Sequence, residues 1–417
     1  MVLPPGCGVY SGRVSATVLV CGSVFDGVGD ELRGPSEILV EDGRIAEVAD
    51  HVSRPDGADV VDLSDRVVTP GFIDCHVHLT MDASTLPTQT LKSSAAKALS
   101  GLDTARRYML RGFTTLRDLG TMDPDFPTVD LRNAIDAGLA EGPRLVVAAH
   151  LISSTGGHAD IRPFYAPRWD LPIAAAADSV GEIRRLVRRE HAFGSDWIKA
   201  TNAGGYFSPG DDPDRCTWFD EEFEALASAA ALLGLPVAVH TGAAPACIQA
   251  LKAGARSLEH AYLIDEEGIA LAVERGAFIV PTMQMTQEDL AALKAGDLPE
   301  QAVWKFRRDS DRILASQRLI AESEAKVAFG TDCGMFPFEH GVLEFQALVD
   351  AGLTPARALR AATSVAAELL GRDDLGVIEA GRSADIVAMP GDPLADIQVT
   401  ESVDFVMKAG TVYRRPE

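Results

Sequence analysis

The chain has 417 residues, with 61 Asp and Glu against 38 Lys and Arg, a formal net charge of −23. That balance excludes a nucleic-acid partner, which needs basic patches to neutralise phosphate, and reads instead as a soluble negative surface. Hydrophobic residues at 47% and charged residues at 24% place the chain among ordinary globular proteins, long enough for a large domain plus a satellite.

At the start of the chain, no basic segment is followed by a long apolar stretch, so no signal peptide is expected. Residues 14–69 read as short strands and turns, and "SEILVEDGRIAEVAD" is a hairpin pattern around Asp42-Gly43. The stretch "GFIDCHVHLT", residues 71–80, then ends an apolar run with two histidines one residue apart. On a strand, residues i and i+2 share a face. His76 and His78 therefore project together, with Cys75 and Val77 on the opposite side and Cys75 toward surrounding helices.

The middle of the chain alternates. Strand-like runs end near His78, Asp118, Ala149, Thr201, His240, His260, Thr282 and Thr331, and most gaps between them hold helical patterns. "DEEFEALASAAALLG" opens with Asp220 as the expected N-cap and closes at Gly234; "APACIQALKAG" ends at Gly254. "TPARALRAATSVAAELLG" reads as one helix from Thr354-Pro355 to Gly371. The tail returns to strand and turn in "ADIVAMPGDP" and "DFVMKAGTVYR", with a bend at Gly410.

Eight strands, each followed by a helix or crossover over roughly 310 residues, predict an α/β fold of the (β/α)8 TIM-barrel type. An open doubly wound sheet is the rival fold, but the glycine-rich phosphate loop usual there is missing. The β-rich ends predict a small β-sandwich domain from residues 1–69 and 380–417, flanking a barrel over 70–379. The six cysteines, at 7, 21, 75, 216, 247 and 333, show no paired spacing, which fits a reducing, cytoplasmic compartment. No run reaches the roughly 18 apolar residues of a membrane-spanning helix, and no membrane partner is expected.

In such barrels the chemistry sits at the C-terminal ends of the strands. Those ends carry His76 and His78, Lys199 in "DWIKATNAGG", His240 in "PVAVHTG", His260 in "RSLEHAYLID" and Asp332 in "VAFGTDCG". Each alone has a bland reading: a barrel-interior histidine, a solvent-seeking lysine, a helix-capping aspartate. Six at one end of one predicted barrel point to a metal site. Histidines plus one carboxylate suit zinc, with manganese, iron, cobalt or nickel as alternatives. Lys199 is the odd member, because an ammonium has no lone pair to give a metal. A lysine desolvated in the barrel mouth loses proton affinity, however, and its neutral amine can take up carbon dioxide. The resulting carbamate has two oxygens and could bridge two metals.

The order His-x-His, Lys, His, His, Asp resembles the amidohydrolase superfamily in its binuclear, carboxylated-lysine type. "VVTPGFIDCHVHL", "SLEHAYLID", "FGTDCG" and "GVIEAGRSADIVAM" resemble its imidazolonepropionase-like branch, which includes Xaa-Pro and Xaa-Arg/Lys dipeptidases and ochratoxinase. The resemblance implies that His76, His78 and Asp332 hold the more buried of two divalent ions, zinc foremost. It implies that His240 and His260 hold the second, with carboxylated Lys199 and a hydroxide between them. Asp332 would then take a proton from the attacking water and hand it to the leaving amine. His158 in "ISSTGGHAD" and Tyr206 in "NAGGYFSPG" lie in loops that, in related dipeptidases, hold the scissile carbonyl and the terminal carboxylate; Arg162 and Arg215 lie in the same loops. Cys333 reads as a small buried filler, and Glu339-His340 as a helix start.

The function implied is hydrolysis of a dipeptide or N-acyl amino acid, a small-molecule substrate, by an enzyme expected to form a homo-oligomer. The alternative is a cyclic-amide ring hydrolase or deaminase of the same superfamily. Deaminases there place a Glu two or three residues past the fifth-strand histidine, whereas His240 is followed by "TGAAPA". A non-catalytic assembly protein on the same scaffold would be expected to have lost ligands, and all six are present.

Overall fold

A computed structural model describes residues 16–82, 88, 91–168 and 175–416. Cys7 and the first 15 residues of the predicted terminal domain lie outside the described residues. The central unit is a TIM barrel. Its strands run Phe72–Val77, Phe113–Asp118, Arg144–Val147 continued by Leu151–Ser153, Ile198–Thr201, Val237–Ala243, Ser257–Leu263, Phe278–Val280 and Lys326–Val327. Neighbours pair in parallel, each in sequence order. The third strand is split: its first half pairs with the second strand and its second half with the fourth. Closure comes from the Cys75 N–H donating to the Phe329 carbonyl, 2.9 Å, and a parallel bridge between Val77 and Cys333.

Alternation along the strands sorts the side chains into two layers. Ile198, Ala200, Val237, Val239, Ile279 and Val327 pack outward with helix residues such as Phe223, Leu226 and Leu251. Ile73, Cys75, Ala148, Ala238, Val280 and Ala328 pack on the inside. Cys75 therefore faces the barrel axis, not the helices as alternation from His76 predicts. The register shifts between Asp74 and Val77, where the Asp74 carboxylate accepts the His76 N–H at 3.0 Å. This irregularity puts the strand out of phase just before the histidines.

The helices mostly follow their sequence signals, with two corrections. The helix Asp220–Leu232 is capped by Phe219, not Asp220, and the Glu222 carboxylate reaches back to the Phe219 N–H at 3.0 Å. The run from Thr354 to Gly371 is two helices, Pro355–Ala361 and Ser364–Leu370. At the break, the carbonyls of Ala361 and Ala362 accept the N–H groups of Phe329 and Ile73. The barrel strands thus compete for the bonds that would have continued the helix. Among the described residues, no helix is long and apolar enough to cross a membrane.

Both ends of the chain build a seven-stranded mixed sheet. Its order is Thr411–Arg414, Phe405–Lys408, Ile386–Met389, Asp59–Pro70, Thr17–Val24, Ser36–Glu41 and Arg44–Ala49. The predicted hairpin turn is present, with φ of 50° at Asp42 and 76° at Gly43, the two positive angles that a tight two-residue turn requires. The sheet folds over one apolar layer: Leu19, Ile38 and Ile45 share a core with Ile386, Phe405 and Met407. The hairpin tip closes this sandwich, its Gly43 carbonyl accepting the Ala384 N–H at 2.9 Å.

Candidate active site

His76, His78, Lys199, His240, His260 and Asp332 meet at the C-terminal mouth of the barrel, and none is more than 5% exposed. His76, His260 and Asp332 each place one donor atom within 4.8 Å of the others, a group that could hold a metal ion. Asp332 Oδ1 lies 3.2 Å from His78 Nε2 and 3.4 Å from His76 Nε2. The His240 ring centroid is 4.7 Å from that of His260.

A second tier of residues orients these side chains. His78 Nδ1 donates to the Gly120 carbonyl at 2.8 Å, which holds the ring with Nε2 3.2 Å from Asp332 Oδ1. His260 Nδ1 pairs with the Thr282 hydroxyl at 2.7 Å. His76 Nδ1 lies 2.9 Å from the Glu259 carboxylate. Glu259 is tied in turn to Arg117 at 2.8 Å, with both side chains fully buried. Arg117 also donates to the Cys75 carbonyl and the Ser257 hydroxyl, so this buried pair is hydrogen-bonded on several sides, as a desolvated ion pair must be. Asp74 accepts from the His76 N–H, the Thr331 N–H and hydroxyl, and the Tyr108 hydroxyl. Its burial still pushes its carboxyl up to about 7.

The backbone is strained at the same place. Among the described residues, six non-glycine residues have positive φ; four of them lie in or after barrel strands six to eight, His260 (66°) and Ala261 (51°) within strand six, Thr282 (49°) and Asp332 (65°) past strands seven and eight. Such conformations cost on the order of 1–3 kcal/mol each and persist only where the surroundings over-determine them. The bond from the Asp332 N–H to the His76 carbonyl, 2.7 Å, is one such restraint.

Electrostatically the mouth is set for cation binding. Burial, reinforced by the Lys199 charge, holds His76 well below the ordinary imidazole range, and His240 and His260 are lowered likewise, chiefly by burial. Burial opposes ionisation of Asp332, yet His76, His78 and Lys199 hold its carboxyl below the usual value. Lys199 is pushed down to about 8 by burial. Lys199 Nζ, His76 Nε2 and Asp332 Oδ1 are buried without a hydrogen-bond partner among the described residues, which is rare in folded proteins. Burial lowers His78 too, but the Asp332 carboxylate beside it raises it overall. Three imidazoles held low, a carboxylate held low and an amine pushed down by burial share this space, and such a donor set fits a divalent metal centre.

His158 lies against this group: its ring stacks on His240 with centroids 4.1 Å apart and planes at 18°. Tyr206 is buried one ring further out. Its hydroxyl pairs with Asp309 at 3.3 Å, its ring stacks on Phe306, and its edge meets Tyr262, which stacks on His260 at 4.8 Å. Arg162 is bound to Asp160 at 2.7 Å. Arg215 lines an outer groove of about 600 Å³ with Ser154, Gly157, Asp211, Thr217 and Trp304. Sequence reasoning missed Glu259, Arg117, Asp74 and Tyr262. Glu259 and Tyr262 flank His260 within "SLEHAYLID", but only the closed barrel shows what they touch.

The model of the amidohydrolase family matches residues 67–413. Ochratoxinase from Aspergillus niger is 29% identical over 97% of this chain and 88% of its own. A crystal structure of a Xaa-Pro dipeptidase with methionine bound in its active site superposes with a TM-score of 0.89 at 32% identity, covering 96% of this chain and all of that one. A prolidase complexed with N-methylphosphonate-L-proline gives 0.86 at 31% identity, with 96% and 100% of the two chains covered. A barrel mouth lined with metal-type donors and a family match across most of the sequence lead to one conclusion: this chain belongs to the amidohydrolase family.

Proposed function

We propose that this protein is a metal-dependent hydrolase that cleaves the amide bond of dipeptides or N-acyl amino acids. The observation that carries the reading is the Lys199 amine, buried without a hydrogen-bond partner among the described residues, whose charge acts on His76, His240, His260 and Asp332. The likeness to a Xaa-Pro dipeptidase and a prolidase supports the substrate class. In this reading His76, His78 and Asp332 hold one divalent ion, zinc foremost, and His240 with His260 a second. When bound, such a pair of ions lowers the pKa of water and polarises a carbonyl. The neutral amine of Lys199 would take up carbon dioxide, releasing one proton, and the carbamate would supply two oxygen donors to such ions. Asp332 accepts a proton from the attacking water and returns it to the leaving amine nitrogen. His158 and Tyr206 shape the substrate side of the mouth. Five described cysteines are free thiols, which supports a cytoplasmic address.

A free substrate carboxylate is the handle that would fix the scissile bond against the site. Matched dipeptides with free and amidated C-termini, assayed with zinc supplied, test this. The free acids are expected to turn over and the amides to turn over little. Equal rates, or activity confined to cyclic imides, lactones or aminopurines, would contradict the reading and favour the ring-hydrolase or deaminase alternative.

A further inference from the structure

The helix Met283–Ala295, which follows the seventh barrel strand, starts against the usual rule. A threonine at a helix N-cap ordinarily has extended backbone and turns its hydroxyl to the second or third N–H of the helix. Thr282 does neither. It is fully buried, its φ and ψ of 49° and 52° are left-handed, and its side chain makes no cap bond. The hydroxyl instead meets His260 Nδ1 at 2.7 Å. A β-branched residue in this conformation is a genuine outlier, and it persists only where its surroundings hold it there.

Glu344 supplies that hold. It opens the helix Glu344–Ala351, is fully buried, and reaches across to two orphan donors of the other helix. Its Oε1 accepts the Met283 N–H at 2.9 Å and its Oε2 the Gln284 N–H at 2.6 Å. Two N–H groups tied at fixed points set where the helix begins, and Thr282 turns left-handed to join it to the strand. Such a cap is not the ordinary use of a buried charge. Lys305, also buried, has a counter-ion in Asp211 at 3.0 Å, beside the carbonyls of Gly205 and Ser208 on the loop 205–211. Among the described residues Glu344 has no ion-pair partner. Burial pushes its carboxyl up to about 8 and the two N–H groups pull it down; with a donor on each oxygen, the ionised form is the one the geometry serves. The Thr282 hydroxyl could have capped this helix without burying a charge. What the arrangement adds is a hydroxyl left free for His260.

We infer that Glu344 is a positioning residue for His260: it caps the helix in place of Thr282, holds Thr282 left-handed, and so delivers the Thr282 hydroxyl to His260 Nδ1. This sets the angle of a ring that gives one donor atom to the group it forms with His76 and Asp332. The consequence for metal binding rests on the metal-dependent reading above, whereas the hold on Thr282 and His260 does not.

The test uses the full chain and has two arms. In a crystal structure of Glu344→Gln, where an amide that cannot accept replaces one oxygen, Thr282 should leave the left-handed region. Its hydroxyl should then lie out of hydrogen-bond reach of His260. In competition with a chelator, affinity for zinc should fall roughly tenfold or more in Glu344→Gln and in Thr282→Val, the scale for partners of a ligating histidine. Thr282→Ser, which keeps the hydroxyl, should hold zinc as the wild type does. Because Glu344 acts through that hydroxyl, the double variant should match the worse single to within about twofold. A merely structural cap would instead lower the unfolding midpoint and leave Thr282, His260 and zinc affinity unchanged. That outcome, or effects of the two substitutions that multiply, would overturn the inference. If Glu344→Gln does not fold, Glu344→Asp, which withdraws the carboxylate by one methylene, is read by the same criteria. A wild-type chain that takes up no zinc would contradict the metal reading, and the crystallographic arm would still decide this one.

Discussion

Lys199 and Lys305 are both 1% exposed, yet their surroundings differ in kind. Lys305, in the clamp on the loop 205–211, has an acceptor for each ammonium proton. Lys199, on the fourth barrel strand, has no hydrogen-bond partner among the described residues, and burial pushes it down to about 8. The terminal sheet resembles the clamp: Asp385 is met there by Arg144, Ser383 and the Ala409 N–H. Burial is common to all three places. What marks the barrel mouth is the missing counter-group, because an unsatisfied buried polar atom costs stability that folding alone does not explain.

Substituting each lysine should separate the two roles. Lys199→Ala is expected to bind fewer metals and to lose activity by roughly 10³-fold or more, at the upper end of what loss of one electrostatic stabiliser costs. The metal-free variant should be at least as stable as wild type, since an unpaired buried amine is removed. Metal analysis with steady-state kinetics and a denaturant titration checks both halves. Lys305→Met should do the reverse. It strands Asp211 in the interior and is expected to destabilise the fold by about 3–5 kcal/mol, the usual result of breaking a buried pair. Denaturant unfolding of the metal-free protein measures this, and an unchanged midpoint would erase the contrast between the lysines.

Asp332→Asn probes the mouth more finely. As a proton carrier, Asp332 should be worth roughly 10²-fold or more in kcat, with metal content falling much less than turnover. A variant within about tenfold of wild type would remove it from the mechanism. The last expected effect is on pH dependence. The folded pKa of Lys199 lies below its unfolded value, so between about 8 and 10.5 the unfolded chain binds more protons. Stability of the metal-free protein should therefore rise with pH through that window, and Lys199→Ala should flatten the rise. Unfolding midpoints for both proteins on either side of pH 8 test the sign.

Much of the mouth was legible because strand alternation and strand ends are local signals. Each candidate donor closes a short apolar run, and eight such runs with helices between them leave few folds to choose from. The hairpin at Asp42-Gly43 was legible for the same reason, since a two-residue turn chooses its residues. What was not legible depends on distant partners. Cys75 turned inward because Asp74 captures the His76 N–H and breaks the register. The run from Thr354 to Gly371 broke because two barrel strands take the carbonyls of Ala361 and Ala362. Arg117 and Glu259 are 142 residues apart in the chain, and no periodicity links them. The stacking of His158 on His240 likewise exists only once the loops after strands three and four meet over the mouth.

The central claim is that the bare amine of Lys199 becomes the bridging carbamate of a two-metal centre. Its most direct test is carbon-13 NMR of the zinc-loaded protein equilibrated with labelled bicarbonate, paired with metal analysis. A carbamate signal that is present in the wild-type protein with two bound ions, and absent from Lys199→Ala with fewer, is the expected result. An active protein holding two ions with no carbamate signal would contradict it.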